Sequence, residues 1–97
     1  MLRRQLRVVN REGIHARPAA LIVELANRFD SEVWLIKGAQ RVDAKSIMEL
    51  MTLAAEQGSV LVLEARGPEA QAAADALEKI FSEGLGDVDA DPSTSHP

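Results

Sequence analysis

The chain has no cysteine, which excludes a disulfide framework and any thiolate metal site. Aromatic residues make up 3% of the sequence, too few for the exposed rings on which single-stranded nucleic acids stack. Positive charge is also scarce. Eleven Lys and Arg stand against 15 Asp and Glu, for a formal net charge of -4, whereas binding a nucleic acid needs clustered cations. Nowhere do ~20 apolar residues run together, as a membrane span requires. The basic Arg3-Arg4 pair near the N-terminus has no apolar segment of signal-peptide length behind it. These absences lead us to expect a cytoplasmic protein with no nucleic-acid partner and no membrane insertion. There is no G-x-x-x-x-G-K-[ST] run and no acidic cluster suited to magnesium, so neither a nucleotide cofactor nor a metal is expected.

What is present is ordinary globular composition, 46% hydrophobic and 27% charged over 97 residues. That is enough for one core and too little for two. Leu6, Val8 and Val9 mark a short strand over 5–9, closed by the polar loop Asn10-Arg11-Glu12-Gly13. Ala19, Ile22, Val23, Ala26 and Phe29 recur at three- and four-residue spacing and predict a helix over about 16–29. Residues 32–36 and 40–42 read as a hairpin around Gly38. Ser46 and Glu49, in the S-x-x-E arrangement of a capping box, open a short helix to Leu53. Val60 to Leu63 is a β-rich run between glycines, with a central place in the sheet expected. Pro68 fits the first turn of a helix whose Ala70, Ala73, Leu77, Ile80 and Phe81 share one face down to Gly84. The order β-α-β-β-α-β-α predicts an α+β fold: an open-faced β-sandwich with a four-stranded, mainly antiparallel sheet covered on one face by three helices. A domain over 1–84 is expected, with residues 85–97, acidic and poor in apolar side chains, as a disordered tail.

The segment Gly13-Ile14-His15-Ala16-Arg17-Pro18-Ala19 places a histidine at a helix entrance. Backbone N–H groups at such an end have no internal partner, and the aligned peptide dipoles add partial positive charge, so anions bind there. Arg17 contributes a fixed charge with several donors matched to phosphate oxygens. Pro18 has no N–H to lose in the first turn, and Gly13 lets the loop bend. Imidazole can form covalent intermediates near neutral pH, so His15 could take a phosphoryl group into a site made by Arg17 and the helix start at Ala16 and Pro18. Positioning and charge, which phosphoryl transfer chiefly requires, could be shared with a partner protein.

Gly13-Ile14-His15-Ala16-Arg17-Pro18-Ala19-Ala20 resembles the active-site signature of the histidine-containing phosphocarrier proteins, the HPr family of the bacterial phosphoenolpyruvate-dependent phosphotransferase system. Lys45-Ser46-Ile47-Met48 resembles the family's second signature, and the similarity runs from about Arg3 to Gly84. The resemblance implies the same open-faced sandwich. It implies that Enzyme I phosphorylates His15, that Arg17 holds the phosphate, and that an Enzyme IIA-type protein receives it. The chain would then carry the group without being an enzyme.

Ser46 can cap the second helix, a role worth ~1 kcal/mol. The resemblance adds that it is a target of an ATP-dependent kinase of the HPr kinase/phosphorylase type. Ile47, Met48, Leu50, Met51 and Leu53 are more apolar residues than one buried stripe needs, and the family resemblance reads Ile47 and Met48, with Ala20, as a partner patch. Glu24 and Asn27 stand where sugar-transport members often carry basic residues, and the loop at 10–13 looks closer to the nitrogen-related branch. A regulatory relative acting by protein binding is therefore the alternative. A ferredoxin-like binding module is a more distant one. Trp34 reads as packed or partly exposed on the sheet, and His96 has no neighbours that suggest a ligand set.

Overall fold

The computed structural model describes residues 1–86. Its elements are β1 (Leu2–Arg7), α1 (Ala16–Ala26), β2 (Glu32–Lys37), β3 (Gln40–Asp43), α2 (Ile47–Thr52), β4 (Val60–Arg66) and α3 (Ala70–Ser82). The four strands form one antiparallel sheet in the order β1-β4-β2-β3. The fold is the open-faced α+β sandwich that the element order predicts.

Side-chain alternation decides which face of the sheet is buried. Val33 and Leu35 of β2 and Leu61, Leu63 and Ala65 of β4 point into the core with Leu6 of β1, where Ala19 and Ile22 of α1 and Ala73, Leu77 and Phe81 of α3 meet them. The intervening residues lie on the uncovered face. There Glu64 is buried between Arg3, at 2.7 Å, and Arg41, at 3.3 Å. Arg41 also lies over the Trp34 ring, 4.1 Å from its centroid. Trp34 is half-buried on this face, as its place in an alternating strand suggests.

β1 begins and ends earlier than the apolar spacing indicates. Arg4 reads as a polar position, but it turns toward α3 and pairs with Asp75 at 2.8 Å and Glu78 at 2.9 Å. The hydrogen bond to Asp75 and the charges of both acids hold its guanidinium further above its ordinary range. Val8 leaves the ladder to bond with the loop before β4, its N–H donating to the Ser59 carbonyl at 2.9 Å. α1 stops at Ala26 because its last turn tightens: Arg28 N–H reaches Leu25 and Phe29 N–H reaches Ala26. Phe29 still packs on the core from the turn that follows. Pro68 lies in a turn ahead of α3, whose N-cap is Glu69.

The boundary at residue 84 needs correction. Leu85 is 2% exposed and belongs to the core. Gly84, at φ +85°, ends α3 with its N–H on the Phe81 carbonyl, while Leu85 N–H reaches back to the Ile80 carbonyl at 2.7 Å. This paired pattern is the Schellman motif, in which the residue after the glycine commonly packs against the last helical turn. The remainder of the expected tail, including His96, lies outside the described residues.

Candidate functional site

His15 is the residue at which loop becomes helix. It is the N-cap of α1 in an extended conformation, and its carbonyl accepts the Ala19 N–H at 2.9 Å. Its side chain makes no capping hydrogen bond. The imidazole is half-buried, with its Nε2 buried. Pro18, buried in the first turn, offers no N–H, so the amides of Ala16 and Arg17 are the donors at this end. Among the described residues neither amide has an acceptor. Arg17 is exposed and forms no ion pair among the described residues. A histidine ring, two outward amides and a guanidinium are thus carried by three consecutive residues.

The approach to His15 is fixed by contacts distant in sequence. Ile14 N–H donates to the Ala55 carbonyl at 2.9 Å. Gly13 has φ +70°, and a Cβ there would lie 2.2 Å from the same Ala55 oxygen. This pairs a left-handed backbone with a close approach that only glycine permits. Asn10, assigned from sequence only to the loop, is fully buried, and its Nδ2 donates to the Gly13 carbonyl at 2.7 Å.

Arg17 and Ala20 line a surface groove of about 330 Å³ with Leu21, Glu24, Leu85 and Gly86. The end of α3 therefore reaches the first turns of α1. Sequence spacing did not reveal this wall of the groove; the Gly84-Leu85 pair was the available signal. Glu24 of α1 pairs at 3.0 Å with Arg28 in the turn that follows the helix, and the Asn27 side chain bonds back to the Val23 carbonyl.

Ser46 stands on a different element. It is the N-cap of α2, with Oγ accepting the Glu49 N–H at 3.2 Å. The reciprocal half of the capping box is diverted, because the Glu49 carboxylate accepts from Asp43 N–H at 3.0 Å. α2 packs against α1 and buries Leu50, while Ile47, Met48 and Met51 are 43%, 82% and 41% exposed. The first turns of α1 and the apolar face of α2 are thus surfaces of neighbouring helices. Among the described residues no group of three or more His, Asp or Glu could hold a metal, and no helix is long and apolar enough to cross a membrane.

The architecture is a one-sided sandwich with a histidine at the N-cap position of its first helix. The family model described as the phosphotransferase-system HPr component phosphorylation site matches residues 2–83. The chain is 52% identical over 81 residues to a phosphocarrier protein HPr of Treponema pallidum, covering 84% of this chain and 92% of the relative. It is 47% identical over 77 residues to the HPr-like protein Crh of Halalkalibacterium halodurans, covering 79% and 92%. The crystal structure of HPr-C-His from Thermoanaerobacter tengcongensis superposes with a TM-score of 0.86 at 39% identity, over 90% of this chain and 98% of that one. The chain belongs to the HPr family of phosphocarrier proteins of the phosphotransferase system.

Proposed function

We propose that His15 accepts a phosphoryl group from phosphorylated Enzyme I and passes it to an Enzyme IIA-type acceptor. The observation that carries this reading is the placement of His15 as an N-cap whose side chain does not cap, beside the Ala16 and Arg17 amides and the Arg17 guanidinium. Burial of Nε2 favours Nδ1 as the attacking atom. In the step, the bond from Nδ1 to phosphorus forms as the bond from phosphorus to the donor breaks. The helix end and Arg17 hold the equatorial oxygens, and the acceptor protein reverses the exchange. The carrier unit spans the described domain, and these cytoplasmic partners dock on Ala20, Ile47, Met48 and Met51, whose exposure supports that use.

Incubation with phosphoenolpyruvate and Enzyme I adds one acid-labile phosphoryl group, seen as a mass increase. His15→Ala abolishes it. A wild-type protein that never gains the group defeats the reading.

Regulation at Ser46 is the second part of the proposal. The hydroxyl is partly exposed at a helix start, where a phosphate is tolerated locally yet adds about two negative charges next to the docking patch. A kinase of the HPr kinase/phosphorylase type, with ATP, labels Ser46 in an acid-stable form. Equal labelling of Ser46→Ala removes this part. A regulatory relative acting through Ser46-dependent binding is the second reading, and its support is the similarity to Crh, named catabolite repression HPr in the Bacillus subtilis solution structure. It predicts acid-stable label without the acid-labile one.

A further inference from the structure

Asn10 is a primary amide in a loop, yet it is 0% exposed. A buried polar side chain persists where hydrogen bonds hold it. Here Nδ2 donates to the Gly13 carbonyl at 2.7 Å, and the Asn10 carbonyl accepts the Gly13 N–H at 3.2 Å. The Gly13 carbonyl is also the acceptor for the His15 N–H, at 3.2 Å. One oxygen thus joins the Asn10 amide to the backbone of the reactive histidine, while Ala55 secures the other side of the loop through Ile14.

We propose that Asn10 is a positioning residue for phosphoryl exchange at His15, acting through the Gly13 carbonyl to hold the ring where it meets the incoming phosphorus. The inference rests on His15 being the acceptor. Its physical basis is geometric: an exchange that depends on alignment loses rate steeply when the reacting atom is displaced, and a 1 Å error costs about a hundredfold. Asn10 touches neither the phosphorus nor the partner, so its influence falls on the transfer step and not on docking. Asp at position 10 keeps the volume but sets a lone pair against the Gly13 oxygen and brings negative charge toward an anion site. Ser is shorter but keeps a hydroxyl donor.

The test measures initial rates of phosphoryl acceptance from phosphoenolpyruvate-charged Enzyme I at varied carrier concentration, with thermal unfolding recorded in parallel. For Asn10→Asp, kcat falls about tenfold or more while KM stays within about twofold. Asn10→Ala, which adds no charge, loses about threefold or more in kcat with KM held, and Asn10→Ser recovers part of that loss. Met48→Ala shows the opposite split, a raised KM with kcat retained. A kcat within about twofold of wild type in folded Asn10→Asp or Asn10→Ala overturns the proposal. So does a loss that merely tracks the unfolded fraction. Should Asn10→Asp not fold, Asn10→Ala and Asn10→Ser decide by the same criteria. Wild-type protein that accepts no phosphoryl group sinks the function proposed for His15, a result distinct from normal transfer by Asn10 variants.

Discussion

Gly13 shows how little latitude the loop before His15 has. Its φ of +70° and the 2.2 Å that would separate a Cβ from the Ala55 oxygen act together, so Gly13→Ala forces both a strained backbone and a shift of the strand-leading loop. A loss of about 3 kcal/mol or more in urea unfolding is expected. Arg17 faces a different demand. Its charge would survive in Arg17→Lys, but the planar fork that matches two phosphate oxygens would not. Phosphoryl acceptance by Arg17→Lys is expected to fall about tenfold in kcat with unfolding unchanged, because Arg17 is exposed and holds no structural ion pair among the described residues. The placement of His15, Arg17 and Pro18 at the start of α1 was legible in the sequence because a helix start follows from local chemistry. Asn10 was not, since its burial depends on a loop folded against Ala55, and no local pattern reports that.

At the scale of elements, the α2 cap makes two substitutions informative. Ser46→Ala removes the acceptor for the Glu49 N–H and is expected to cost about 1 kcal/mol. Ser46→Asp keeps an acceptor and gains from the helix dipole, so thermal stability holds or rises slightly. Its added charge next to Ile47 and Met48 should weaken docking of an acidic partner, measured as a KM that falls back toward wild type as salt rises. Sequence reasoning found this cap but not the diversion of Glu49 to Asp43, because the competing donor comes from the end of the preceding strand. The same limit explains β1. An inward arginine satisfied by Asp75 and Glu78 reads as an outward residue until α3 is in place.

For the whole molecule, the decisive closure is the return of the chain after α3. Leu85 fills the space between the end of α3 and α1, and the groove beside Arg17 is completed by Leu85 and Gly86. Leu85→Ala is expected to destabilise the domain by about 2–4 kcal/mol, read from denaturant midpoints at unchanged slope. The element order and the interior place of β4 were legible in the β-rich run at Val60 to Leu63, whereas the strand order β1-β4-β2-β3 was not read from the sequence, because it depends on pairing between distant segments. The domain boundary did not follow, because composition averaged over residues 85–97 hid one apolar side chain next to a helix-ending glycine.

The chain's single tryptophan lies on the uncovered face of the sheet, beneath Arg41 and with Arg66 5.4 Å from its ring centroid. The helices that carry His15 and Ser46 occupy the opposite face. Trp34 fluorescence is therefore an intrinsic reporter of unfolding, when both cations leave the ring. Its emission should stay constant while the phosphoryl group comes and goes, so one cuvette can follow stability without interference from the chemistry.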